Sequence, residues 1–181
     1  LIRRRTLVAR RVISNDGEVI RDALLWNDTR SAISAEDLIK EFGAERFAKS
    51  TGSVPVASFT ITKLRWLRDN EPENAAKVAA VALPHDWLTW RLRGFGPQGE
   101  SEFGPIFDEL TTDRSDASGT GYFNSVSNQY DYELLEAALG KRVHVPRIVG
   151  PGEVAGKDST GRIYGPGAGD NAAAALGLGL N

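Results

Sequence analysis

With 181 residues, 41% of them hydrophobic and 25% charged, the chain has the length of one ordinary domain and enough apolar material for a core, which excludes disorder throughout. Its 22 Lys and Arg nearly cancel its 24 Asp and Glu, so the net charge of -2 offers no whole-chain field to draw in nucleic acid. The absence of Cys excludes a disulfide scaffold, a thiol nucleophile and a cysteine zinc site, and with His85 and His144 far apart in sequence no structural zinc or other metal centre is expected.

The chain begins at Leu1, contains no Met and ends at Asn181 just after an alanine-rich run, a pattern expected of a chain cut at both ends. The basic cluster Arg3, Arg4, Arg5, Arg10 and Arg11 has no interleaved aromatics and is read as a solvated or frayed terminus, the alternative being a phosphate or partner contact. No apolar run is long enough to span a bilayer and no signal-peptide pattern occurs, so a cytoplasmic location without membrane contact is expected.

Thr6 to Ile13 and Val19 to Trp26 read as two strands around the turn signal Asn15-Asp16-Gly17. Ser34-Ala-Glu-Asp resembles a capping box feeding a helix with Leu38, Ile39 and Phe42 on one side, stopped at Gly43. A short helix follows over Ala44 to Ala48, ending near Gly52. Thr60 to Asn70 carries Leu64 and Leu67 at helical spacing, and Pro72 fits the first turn of the next helix.

Val78 to Leu83 is an uninterrupted apolar run suited to a strand buried on both faces. PHDWLTWRLRG then reads as a helix closing at Gly94, with Trp87, Leu88, Arg91 and Leu92 at helical spacings. Phe95 to Glu109, rich in Gly and Pro, reads as a surface loop. After the polar, turn-rich TTDRSDASGTGYF, Asp131 caps a helix running to Leu139 and ended by Gly140. Val145 to Gly169 reads as a connector between larger units, leading into GAGDNAAAALGLGL, where Asp170 can cap a helix and Ala172 to Ala175 permit close packing.

Three stretches could carry chemistry. Asp170 stands at a loop-to-helix junction, where it is either an N-cap or a carboxylate placed to accept a proton from a substrate hydroxyl, with helix N–H groups favouring its charge. TDRSDASGT sets Asp113 and Asp116 three residues apart among Ser115, Ser118 and Thr120, either a structural turn or side chains converging on a polyol or phosphate. LWNDTR offers Trp26 as a flat face, with Asn27, Asp28 and Arg30 as polar partners, the mixture that sugar recognition needs; the same Trp26 could be ordinary core. No Walker-type phosphate loop occurs.

In order along the chain, DGEVIRDALLWNDTR, FTITKLRWLRDNEPE, VALPHDWLTWRLRG, TTDRSDASGT, YDYELLEAALG, VGPGEVAG and GAGDNAAAALGLGL resemble the FGGY-type carbohydrate kinases, and within them the xylulokinases. The resemblance covers most of Asn15 to Asn181. It implies an α/β, ribonuclease-H-like (actin-like) lobe. Residues 1–155 would be the later part of the sugar-side domain, and 156–181 the connector and the beginning of a nucleotide-side domain. It implies phosphoryl transfer from ATP, with Mg2+, to a small-molecule sugar, D-xylulose at its 5-hydroxyl in the xylulokinases. Asp170 of the GDN element matches the family's general base, and Asn171 its sugar-contacting neighbour. Trp26, Asn27, Asp28 and Arg30 fall in the element beside the sugar cleft, and Asp113 and Asp116 in a signature that forms its floor.

The family's glycine-rich DxGT phosphate hairpin is not found in the sequence. LVARRV stands where a Met-His-Gly or Gln-His-Gly element belongs, residues 95–109 read as inserted and 157–164 as shortened. A kinase for another ketose or polyol, or a truncated non-catalytic remnant serving as a binding or structural module, are the alternatives these departures leave, and an exposed interface could support a homo-oligomer.

Overall fold

A computed structural model describes residues 11–180. The first arm of the anticipated hairpin up to Arg10, the arginines Arg3, Arg4, Arg5 and Arg10, and most of LVARRV lie outside the described residues. The one arginine of that cluster that is described, Arg11, stacks its guanidinium 4.2 Å from the ring centre of Trp87, so at this position the expectation of a solvated end is corrected.

The turn at Asn15-Asp16-Gly17 forms, with the Gly17 N–H donating to the Ser14 carbonyl at 2.9 Å and Ile13 bridging Val19 antiparallel. The expected second arm to Trp26 does not. Strand β1 (Arg11–Ile13) instead takes its ladder from β2 (Ala80–Ala82), with Val12 opposite Val81 in antiparallel register. Beyond Ile20 the backbone leaves the pairing, and the carbonyls of Leu25 and Asp28 are taken by the buried Lys63 ammonium. The apolar run 78–83 won this competition because it lies in the interior, where an unpaired backbone group is costly.

Ala80 also bridges His144 in parallel, and β3 (Thr111–Asp113) pairs in parallel with β6 (Arg147–Val149). The segment 144–149 thus runs alongside β2 and then β3. The crossover from β3 to β6 passes through α6 (Arg114–Ser118), the small hairpin of β4 (Phe123–Asn124) with β5 (Gln129–Tyr130), and α7 (Tyr132–Leu139).

The helical expectations hold well. Helices α1 (Ala32–Phe42), α2 (Ala44–Thr51), α3 (Thr60–Asn70), α4 (Pro72–Lys77) and α5 (Pro84–Leu92) occupy the predicted stretches, and α1, α2 and α7 stop at Gly43, Gly52 and Gly140. α3 lies between α1 and α7, burying Leu64 and Leu67 against Leu38, Leu134 and Leu135. Each such side chain contributes about 1.5–3 kcal/mol when fully removed from water.

Two local expectations are corrected, at Ser34 and in the loop 95–109. Ser34 is not a cap: α1 starts at Ala32, and Ser34 is buried within it. In α5 the helically spaced Leu88 and Leu92 are exposed, and the residue driven inward is Trp90, fully buried. The loop 95–109 is no mere surface excursion, since Phe95 and Phe107 stack on Trp90 and form a second small core with Ile13, Ala82 and Leu110. The stretch 145–169 includes β6 and a hairpin of β7 (Gly156–Lys157) with β8 (Ile163–Tyr164), the Tyr164 hydroxyl reaching the Leu92 carbonyl at 3.2 Å. α8 (Asp170–Gly177) follows, with none of its residues buried. Among the described residues no helix is long and apolar enough to cross a membrane.

The turn that starts the fold is fastened to the second core. Gly17 has φ 82°, and a Cβ there would stand 2.8 Å from the Gly96 carbonyl oxygen and 2.9 Å from Pro105 Cβ. Gly17→Ala is expected to cost at least about 1–3 kcal/mol from backbone strain and overlap together. Gly99→Ala, also at positive φ (78°) but facing open space, is expected to cost less in the same urea titration.

Candidate functional site

The site is assembled where the ends of β2 and β3 pass into helices. After β2, Pro84 opens α5, and Asp86 in its first turn accepts the Leu83 N–H at 2.8 Å through Oδ2. This tie fixes the helix entry and holds the preceding residue, His85, at the surface. After β3, Asp113 caps α6, its Oδ1 accepting the N–H groups of Ser115 at 2.7 Å and Asp116 at 3.1 Å, together with the Ser115 hydroxyl.

The two helix starts meet through their side chains. His85 Nε2 lies 2.9 Å from Asp86 Oδ1 and 3.2 Å from Asp116 Oδ2. Asp86 and Asp113 are buried, and Asp116 and His85 are partly open. Burial would lower the basicity of His85, but the hydrogen bond to Asp86 and the charges of Asp86, Asp116 and Asp113 outweigh it and favour the imidazolium. Burial pushes the Asp86 carboxyl up, so that it and His85 hold a proton between them.

Burial, aided by a hydrogen bond with Asp113 and by the charges of Asp113 and Asp86, pushes Asp116 up to about 7 against the opposing pull of His85. Burial of Asp113 is in turn outweighed by hydrogen bonds from Asp116 and Ser115, which hold its carboxyl below the usual range. One ligand atom each from His85, Asp113 and Asp116 falls within 4.8 Å of the others. At 2.9 and 3.2 Å, however, the imidazole contacts are hydrogen-bond separations, closing the set around protons.

The GDN element is attached to the same cluster. The Gly169 N–H donates to Ser115 Oγ at 2.7 Å across 54 residues, so Ser115 bridges Asp113 to the start of α8. A Cβ on Gly169 would approach Asp116 Oδ1 at 3.2 Å and Ser115 Oγ at 3.4 Å, so only a small residue lets the two segments lie this close. Ser115→Ala is expected to cost about 1 kcal/mol, the value of a net hydrogen bond, and to speed hydrogen exchange at the buried Gly169 amide.

Asp170 is not an N-cap. Gly169 takes that position in extended conformation, and Asp170 is the first helical residue, exposed, its Oδ1 accepting only the N–H of Asn171 at 2.8 Å among described contacts. Freed from capping, its carboxylate is left at the cleft.

A cavity of about 410 Å³ is lined by Leu24, Trp26, Phe59, Leu83, His85, Asp116 and Asp170, among others. Trp26 is 67% exposed, which decides against its being ordinary core and leaves an indole face toward the cavity. Lys63 holds the loop that carries it by its carbonyls, placing Trp26 beside the two carboxylates.

The other members of LWNDTR are placed differently. Asp28 accepts from the backbone N–H and Nε of Arg30, both at 3.0 Å, and the backbone bond, foremost, lowers the Asp28 carboxyl below its usual range. The Arg30 guanidinium lies 5.2 Å from the ring centre of Trp66. Asn27 and Asn171 are exposed, and neither is among the described lining residues. A larger concavity of about 620 Å³, lined by Asp113, Arg114, Ser115 and residues 166–168, adjoins the same motif but lacks the indole and Asp170.

His85 and Asp86 were not singled out as site residues by sequence reasoning. The available signal was local: two adjacent polar residues directly after a buried strand and a proline, at a helix start.

Known proteins resemble the chain throughout. It is 51% identical over 173 residues to a xylulose kinase of Streptomyces coelicolor and 48% identical over 177 residues to one of Streptomyces rubiginosus, covering 91% and 93% of the chain. It spans only about a third, 33% and 34%, of the lengths of these relatives. The crystal structure of xylulose kinase from Bifidobacterium adolescentis superposes with a TM-score of 0.85 at 41% identity, over 97% of this chain and 42% of that one. Plasmodium falciparum glycerol kinase with ADP, at 18% identity and a TM-score of 0.76 over 94% of this chain and 34% of that one, shares the fold. The model of the N-terminal domain of the FGGY family of carbohydrate kinases matches residues 8–177, and with it the α/β chain described above belongs to that family, of whose full-length members it represents a part.

Proposed function

We propose that this chain forms the sugar-side wall of an ATP-dependent kinase acting on a small polyhydroxylated substrate, with D-xylulose phosphorylated at its 5-hydroxyl as the leading candidate. The observation that carries this reading is the convergence of an exposed indole, Trp26, with Asp116, His85 and Asp170 around one cavity. A sugar presents an apolar ring or chain face and a set of hydroxyls, and this cavity answers both. The family resemblance of relatives named xylulose kinase supports the choice of sugar.

In this reading Asp170 is the general base. Its carboxylate, in the first turn of α8, takes the proton of the substrate hydroxyl as that oxygen becomes the nucleophile. Asn171, next in the chain, contacts the sugar, as do the residues of the 26–30 loop, of which Trp26 is the stacking member. ATP with Mg2+ supplies the phosphoryl group when bound. The described lining of the cavity holds carboxylates and an imidazole and no Lys or Arg, a set suited to hydroxyls, so it is not these residues that fit the triphosphate.

Residues 1–155 belong to an actin-like, ribonuclease-H-like sugar-side domain in this proposal, and 156–181 lead toward the nucleotide-side lobe. The test is sugar-dependent ADP formation by the intact native protein supplied with ATP and Mg2+, comparing D-xylulose with other ketoses and polyols. Turnover greatest with D-xylulose is expected; turnover greatest with another ketose or polyol would move the substrate, and none with any polyol would remove the kinase reading.

A further inference from the structure

His85 and Asp116 come from different helices and are brought together in the cavity that also holds Trp26 and Asp170. The contact is built from below. Asp86 is buried at 1% exposure, tied to the Leu83 N–H and directed at the same imidazole nitrogen that faces Asp116. Asp113, 5% exposed, is committed through Oδ1 to the start of α6 and fixes the Asp116 backbone. Four ionisable groups therefore converge on one spot, three of them acidic, and only Asp116 and His85 reach the cavity. A purely structural cluster gains nothing from leaving a carboxylate at a cavity wall among two other carboxylates.

We infer that Asp116 is a substrate-binding residue that accepts a hydroxyl of the polyol, and that His85 is the positioning residue that orients it and holds it ionised. The inference rests on the sugar-kinase reading above and adds to it the group that recognises a hydroxyl other than the one phosphorylated. His85 Nε2 engages Oδ2 of Asp116, while Oδ1 of Asp116 lies near Gly169, beside the start of the helix that bears Asp170. A hydroxyl bound at Asp116 is thereby held close to Asp170, fixing which end of a polyol chain approaches the base.

The sign of the pH dependence follows from the charges that face Asp116, namely Asp113 on its own motif and His85 and Asp86 from α5. Since Asp116 titrates at about 7, the accepting carboxylate forms as the pH rises through that value, so sugar affinity is expected to increase there. Stability moves the other way. A carboxyl whose folded-state value is raised favours the protonated form, so its contribution falls as pH rises from the unfolded value of 3.8 toward 7.

The experiment measures steady-state kinetics and thermal midpoints of the intact native protein and of Asp116→Asn and His85→Gln, with D-xylulose as the varied substrate. Asp116→Asn is expected to raise the sugar KM by about 10- to 100-fold, the range of one charged hydrogen bond, with the ATP KM unchanged and the rise of affinity through neutral pH abolished. Its thermal midpoint at about pH 8 is expected to equal or exceed that of the wild type, because one of three clustered carboxylates has lost its charge. His85→Gln keeps a donor toward Asp116 and is expected to raise the sugar KM less while shifting its pH dependence upward.

A sugar KM within about twofold of wild type in Asp116→Asn would overturn the inference while leaving the kinase reading in place. So would a lowered thermal midpoint accompanied by an unaltered pH profile in both variants, which is the signature of a structural role. Absence of polyol turnover or binding by the wild type would instead remove the kinase reading, and the inference with it.

Discussion

Asp170→Asn is expected to lower kcat of the sugar-dependent reaction by roughly 10²-fold or more while leaving the fold and the sugar KM close to wild type. Asp170 is exposed, makes no cap, and its one described hydrogen bond runs from the Asn171 N–H to Oδ1. An amide oxygen preserves that bond, so the substitution removes proton acceptance and little else. Asp170→Ala loses the bond too and is expected to match the Asn variant in kcat with a slightly lower thermal midpoint. The measurement is ADP formation against D-xylulose concentration in the intact native protein, with near-wild-type turnover in Asp170→Asn removing the residue from the base role. A rise in KM at constant kcat would assign it to binding instead.

The contrast between Asp170 and Asp116 explains how much of the site was legible in the sequence. Asp170 sits in a contiguous element, and a loop running into an alanine-rich helix announces a junction without any knowledge of what lies across from it. Asp116 could be noted only as one of two carboxylates three residues apart. Its environment depends on His85 and Asp86, which arrive on α5, and on Gly169, fastened by Ser115 across 54 residues. No local spacing encodes those approaches. The family resemblance of the motifs supplied the order of the elements, but the residues that charge and orient Asp116 emerge only from packing.

The same division runs through the fold. Helices α1 to α5 and α7 follow apolar spacing and end at Gly, Pro or polar signals contained within a few residues, so their existence was readable. Strand partners were not. β1 has a good turn signal after it, yet its ladder is completed by β2, and β3 pairs with β6 only after a helix, a hairpin and another helix have intervened. Period-two alternation cannot identify strands of two or three residues that are buried on both faces, and in this chain the strands are that short. Loop 95–109 conceals its packing for a related reason. Its Gly and Pro content is that of a surface segment, while its few aromatics, Phe95 and Phe107, are what fold it back onto α5.

Trp90→Ala is expected to be the most damaging single substitution for stability, costing about 3–5 kcal/mol, a large part of the 5–15 kcal/mol typical of a folded domain. Trp90 is fully buried, its ring stacks with Phe95 at 6.4 Å and Phe107 at 6.1 Å, and Nε1 donates to the Ile106 carbonyl at 2.9 Å. Truncation removes the ring volume that holds loop 95–109 against α5 and leaves the Ile106 carbonyl with only the longer bond from the Glu109 N–H, at 3.3 Å. Trp90→Phe keeps most of the stacking and loses chiefly the hydrogen bond and some volume, so a smaller loss of about 1–2 kcal/mol is expected. Urea titration of both variants measures the difference, with an unchanged m-value marking a loss of stability rather than of compactness. α5 also presents His85 and Asp86 at its opposite end, which makes the pair informative about function. If the second core only supports the helix, Trp90→Phe retains the wild-type sugar KM at temperatures where it is fully folded. A raised KM in the folded Phe variant would mean that the Trp90 ring sets the position of His85 through the helix, and that the second core is part of substrate recognition.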